Sequence, residues 1–123
     1  FAMKEDIKTR EDIQVLVNQF YDKVNKDALL APVFGHVDWV KHLPVMYNFW
    51  SSMLLGDRSY EGNPFQKHIN LPIQAKHFDR WLELFGTTVN ENFEGSKAEE
   101  TKERARNIAQ VFQHKLNLIN HTL

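Results

Sequence analysis

The chain has 123 residues, a net charge of −1 from 15 basic and 16 acidic side chains, and no cysteine. That length fits one domain over residues 1–123 with a real but thin core. The balanced charge gives no electrostatic reason to bind nucleic acid or anionic lipid, and the missing thiol excludes disulfides, thiolate ligation, zinc ribbons and cysteine nucleophiles.

Thr9-Arg10-Glu11-Asp12 reads as a helix start, a side-chain cap followed three residues later by an acid. Ile13, Leu16, Val17, Phe20, Tyr21 and Val24 then recur at helical spacing, which predicts an amphipathic helix to about Asn25 with Tyr21 on its buried face. The acidic start at Glu5, Asp6, Glu11 and Asp12 reads as solvated surface and as partners of a helix N-terminus. Phe1-Ala2-Met3 reads as a cloning remnant and carries no fold argument. Ala28 to Asp38, with Pro32 and Gly35, reads as a loop in which Phe34 tucks inward.

From Asp38 to Leu55 the pattern is helical again, through Trp39, Leu43, Met46, Tyr47, Trp50 and Leu54. Pro44 breaks a helix interior, so either the helix starts near His42 or Trp39 to His42 form a separate turn. His42, Met46 and Phe49 share one face. Gly56 ends the helix, and residues 57–64 read as a long loop. Phe65 to Asn70 makes at most one or two helical turns before Leu71-Pro72, and His68 sits on it. Gln74 to Phe93 is a strong helix with Phe78, Trp81, Leu82, Phe85, Val89 and Phe93 on one stripe. Ser96-Lys97-Ala98-Glu99 reads as a capping box opening a last helix to about Ile119. With no sustained alternation, repeat or linker, the chain is expected to be all-α. No apolar run approaches the ~20 residues of a membrane span, and no basic stretch followed by an apolar run marks a secretory signal, so a cytoplasmic protein is the expectation.

Few residues suggest chemistry. A lone histidine such as His68 is more often structural than a ligand. As a ligand it must be neutral, with one ring nitrogen on a metal and the other N–H held by an acceptor. Tyr21 and Trp81 read equally as core residues or as donors aimed into a cavity. His42 reads either as a surface histidine at a helix start or as a gate beside that cavity. His36, Asp38 and His42 form a loose metal-ligand spacing of a kind common by chance. Neither Glu-x-x-His nor His-Glu-x-x-His occurs, and there is no glycine-rich phosphate loop. Nine Phe, three Trp and three Tyr suit either an aromatic core or packing against a flat apolar ligand. One imidazole facing Tyr, His and Trp from other segments suits iron held in a macrocycle.

Blocks in order carry a resemblance: Phe20-Tyr21-Asp22-Lys23-Val24, Pro32-Val33-Phe34, Asn48-Phe49-Trp50, Met53-Leu54-Leu55-Gly56, Tyr60-x-Gly62-x-Pro64, Lys67-His68-x-x-Leu71-Pro72, Phe78-x-x-Trp81-Leu82-x-Leu84-Phe85 and Arg104-Ala105-x-x-Ile108-Ala109. From about Ile13 to Leu118 the chain resembles the group III truncated haemoglobins of bacteria. The resemblance implies a two-over-two helical sandwich around haem b, with His68 as the proximal iron ligand. Tyr21 looks like the distal phenol, Trp81 like the distal indole and His42 like the distal histidine. Phe34 resembles the ring on the haem edge, Met46 would line the cavity, and Lys67 and Tyr60 are candidates for propionate contacts. Pro44 departs from a plain helix beside His42.

The resemblance further implies binding of oxygen, nitric oxide, carbon monoxide or peroxide. Bound dioxygen carries partial negative charge, and hydrogen bonds to charged groups are worth roughly 1.5–3 kcal/mol each. Two such donors would slow oxygen escape by roughly two to four orders of magnitude, which argues for retention or reaction over transport. The expected activity is nitric-oxide dioxygenase-like or peroxidase-like, in a monomer served by a separate reductase. The alternative is a sensor or oxygen reservoir without turnover.

Overall fold

Thr9 and Asp12 start the first helix by capping each other: the Asp12 N–H donates to Thr9 Oγ1 (3.2 Å) and the Thr9 N–H to Asp12 Oδ2 (3.1 Å). The computed structural model describes residues 4–35, 37–60, 62 and 73–122. Helix α1 runs Arg10–Lys26, within a residue of the expected end, and buries Ile13, Leu16, Val17, Phe20, Tyr21 and Val24 on one stripe. Acids lie in its first turn and Lys23 and Lys26 in its last, matching the helix dipole.

Helix α2 is continuous over Trp39–Leu55, with Pro44 inside it. Neither expected interruption occurs. The Lys41 and His42 N–H groups both reach the Asp38 carbonyl, at 3.1 and 2.9 Å, so the first turn belongs to the helix. Pro44 removes the donor for the carbonyl of Val40, one turn back. Val40 is 86% exposed, so water can satisfy that carbonyl, and the ring faces solvent rather than a neighbour. The helix ends at Gly56, whose φ of 71° is left-handed and whose N–H closes on the Ser52 carbonyl. Asp57 then folds back onto the helix end. The fully buried Ser51 hydroxyl donates to it, as do the hydroxyl and N–H of Ser59.

Helix α3 (Ala75–Asn92) and helix α4 (Ser96–Thr122) meet at a corner around Gly95. Here the expected local capping box does not form. Ser96 is already helical, and the cap comes from Asp6: its carboxylate accepts from the Lys97 N–H (2.8 Å) and the Ala98 N–H (2.7 Å). A carboxylate that takes two N–H groups is a stronger acceptor than one serine hydroxyl, and the N-terminal segment carries it there. The Glu94 N–H bonds the Glu5 carbonyl and Ile7 is buried beneath, so residues 4–9 strap the α3–α4 corner.

Helix α1 packs on α2 and on α3, and α3 packs on α4, in a two-over-two arrangement. Fully buried Phe20 and Phe85 meet edge to face at 5.0 Å where the two layers touch. Burial of each ring contributes on the order of 2–3 kcal/mol. The buried hydroxyls of Thr88 and Thr101 return to carbonyls four residues back, at 2.7 Å each. Among the described residues there is no strand and no helix long and apolar enough to cross a membrane.

Candidate functional site

All four helices contribute to one cleft, whose inner free space is about 80 Å³ and which opens to solvent at its mouth. Tyr21 comes from α1, Met46 and Trp50 from α2, Trp81 from α3 and Phe112 from α4, with Phe34 at the corner between α1 and α2. The wall is overwhelmingly aliphatic and aromatic.

Tyr21 is the buried polar group of the wall. Its ring is buried against Phe20 (4.9 Å) and Trp39 (4.9 Å). Its hydroxyl donates to the Met46 sulfur at 3.3 Å. A thioether is a weak acceptor, so a strong donor is held on a partner that a better acceptor would displace. Burial pushes the phenol well above its ordinary pKa, which keeps its proton in place for donation.

Trp81 lies flat on Phe85 (5.4 Å, 13°), which in turn stacks on Trp50 (4.9 Å, 24°). Phe20 meets the Trp81 ring edge-on at 5.4 Å. These contacts hold the indole where it lines the cleft, so its orientation is set by packing and not by a hydrogen bond.

Phe34 is positioned from below by Asp27. That carboxylate accepts from the Leu29 and Leu30 N–H groups (3.1 and 3.0 Å) and from Arg80 Nε (2.7 Å). Desolvation drives the Asp27 pKa up, but the Arg80 hydrogen bond and the two backbone donors outweigh it and hold the carboxyl below its usual range. The 27–35 turn is thereby tied to α3, and Val33 and Phe34 are buried against the cleft.

Of the residues expected in the site, Tyr21, Phe34, Met46 and Trp81 share this cleft. His42 is half-buried beside it, edge-on to Tyr21 (6.1 Å) and Trp39 (5.6 Å). Tyr60 packs edge-on against Phe49, a cleft residue, at 5.2 Å and does not itself line the cleft. Lys67 and His68 lie outside the described residues, and so does His36 of the alternative metal spacing. Among the described residues no three acidic or histidine side chains cluster to hold a metal ion.

His77 lines the cleft and was not anticipated. The signal was present: His77 and Trp81 stand four residues apart, on one helix face. The buried phenol, whose partner among the described residues is a thioether, and the apolar, aromatic walls around it suit a planar macrocycle carrying a small polar ligand.

Residues 3–117 match the bacterial-like globin family. The chain is 36% identical over 121 residues to the group 3 truncated haemoglobin ctb of Campylobacter jejuni, covering 93% of this chain and 95% of that one. It is 31% identical to the group 1 truncated haemoglobin GlbN of Nostoc commune, over 82% of this chain and 85% of the relative. Its fold is similar to the crystal structure of the group III truncated haemoglobin from Campylobacter jejuni, with a TM-score of 0.84 and 37% identity over 93% and 95% of the two chains. It is also similar to the truncated oxygen-avid haemoglobin of Bacillus subtilis, with a TM-score of 0.76 and 25% identity over 85% and 92%.

Proposed function

The chain belongs to the bacterial-like globins and, among them, to the group III truncated haemoglobins, and from that premise we propose that it holds haem b and carries out redox chemistry on small ligands. Haem-based ligand binding follows from the family itself. The finer reading, turnover of nitric oxide, oxygen or peroxide with electrons from a separate reductase, rests on the Tyr21 hydroxyl. A buried donor held on the Met46 sulfur is ready to turn to any ligand bearing partial negative charge.

In this reading His68 would hold the haem iron, on the strength of the sequence resemblance. Phe34, Met46 and Trp81 are the walls against the macrocycle. When bound, haem supplies an iron centre that takes a diatomic ligand or peroxide and exchanges electrons. Tyr21 and Trp81 would be the hydrogen-bond donors to such a ligand, and the apolar wall would keep competing water away from both. His42, edge-on to Tyr21, would gate access to the phenol.

The test has two stages. Hemin added to the purified chain is expected to give a Soret band at one haem per chain that shifts with carbon monoxide, and His68→Ala is expected to lose it. Nitric oxide or peroxide is then supplied together with a reductant, and its steady consumption is followed. A haem-loaded chain that binds carbon monoxide yet consumes neither would leave a sensor or reservoir and remove the redox reading.

A further inference from the structure

His77 occupies the first turn of α3, half-buried in the cleft wall, while Gln74, Ala75 and Lys76 just before it are exposed. It therefore stands near the mouth. Its Nδ1 accepts the Gln74 N–H at 2.9 Å. A ring nitrogen that accepts carries no proton, so the neutral imidazole keeps its proton on Nε2. Among the described residues nothing takes the Nε2 proton, so the ring has a donor left over on the side away from the helix cap. To coordinate a metal through Nε2 it would have to move that proton to Nδ1, against the Gln74 N–H. The tautomer set by the cap makes His77 a donor and not a second axial ligand.

A haem has an apolar body and two ionised propionates, which stay near water at the mouth of a cleft. Tyr21 is buried in the wall, on Met46. The geometry points to a further cofactor-binding residue: His77 donates from Nε2 to a haem propionate, with Gln74 holding the ring in register. This inference rests on the haem reading above.

Two variants separate this role from the cap. His77→Glu keeps an acceptor at the third helical position, where glutamate closes a capping box, and places a carboxylate where the donor was. His77→Phe removes both. The measurements are the rate of hemin loss to an excess of apomyoglobin and the propionate bending band in the resonance Raman spectrum. Both variants are expected to lose hemin about 10- to 100-fold faster than the parent, with a shifted propionate band and an unchanged carbon monoxide spectrum. With hemin dimethyl ester, which has no ionised propionate, parent and variants are expected to release at one rate. Unchanged loss and an unchanged band in His77→Glu would overturn the assignment. So would a rate difference that persists with the ester, because the effect would then be structural. A parent that takes up no hemin at all overturns the haem reading and this inference with it. Folding of each variant is checked by far-UV circular dichroism, and His77→Glu carries the test if His77→Phe unfolds.

Discussion

Gly95 approaches Asp6 so closely that a Cβ on the glycine would lie 2.6 Å from the Asp6 carboxyl carbon. Its φ of +143° is also one that L side chains rarely adopt. The carboxylate reaches the α4 N-terminus only because position 95 has no side chain. Gly95→Ala is expected to destabilise the fold by about 1–3 kcal/mol in urea unfolding. Asp6→Ala is expected to cost about 0.5–2 kcal/mol as a lost cap. In the double variant the two losses should fall short of their sum, because the clash and the cap involve the same carboxylate.

Pro44 offers a change in the opposite direction. Alanine there restores the N–H that the Val40 carbonyl lacks and fits a helix that is already continuous through this point. Pro44→Ala is expected to raise stability by about 1–3 kcal/mol, read as a higher urea midpoint. A fall in stability would mean that the ring makes a packing contact its exposure does not suggest.

Acid should unfold the protein through its carboxylates. Hydrogen bonds from Ser51 and Ser59, with Arg10 nearby, hold Asp57 down at about 2. Asp6 is also lowered, because donation from the Lys97, Ile7 and Ala98 N–H groups overcomes its desolvation, and Asp27 is lowered through Arg80. A depressed carboxylate stabilises the fold above its unfolded pKa of about 3.9 and loses that contribution as pH falls through the folded value. Stability in urea is therefore expected to drop between about pH 4 and pH 2, with these three contributing no slope from pH 7 to pH 5. Asp57→Asn and Asp6→Asn together should flatten the acid limb.

Phe85 joins the core to the cleft, stacked on both Trp50 and Trp81. Phe85→Ala is expected to cost about 3–5 kcal/mol, and Phe85→Leu less. Because Trp81 would lose its flat support, the fluorescence of Phe85→Leu should show a redistributed indole environment even where the fold survives.

The two donors give a kinetic expectation. In the haem-loaded protein, Tyr21→Phe and Trp81→Phe should each raise the oxygen dissociation rate by about 10- to 100-fold, measured by stopped-flow displacement with carbon monoxide. The Tyr21 effect should be the larger, since that hydroxyl exchanges only a thioether for its new acceptor. Equal rates in parent and double variant would remove the distal role from both residues.

The sequence by itself determined whatever is decided within one or two helical turns. The Thr9–Asp12 cap, the stripe from Ile13 to Val24 and the Gly56 stop all depend on neighbours three or four residues away, and all stand as read. That Tyr21, Met46 and Trp81 turn inward was legible for the same reason, since periodicity shows which helix face meets the core. Tertiary structure alone decided what depends on where the chain returns. Asp6 replaced the local Ser96 cap because a distant segment brought a better acceptor to the same N–H groups. Pro44 stayed inside a helix because its face met water and not another layer. His77 entered the cleft because the packing of α3 between α1 and α4 turned that face toward it. Local hydrogen bonds are specified by adjacent residues, whereas the partner of an orphaned donor or an exposed carbonyl is set by what else is packed nearby.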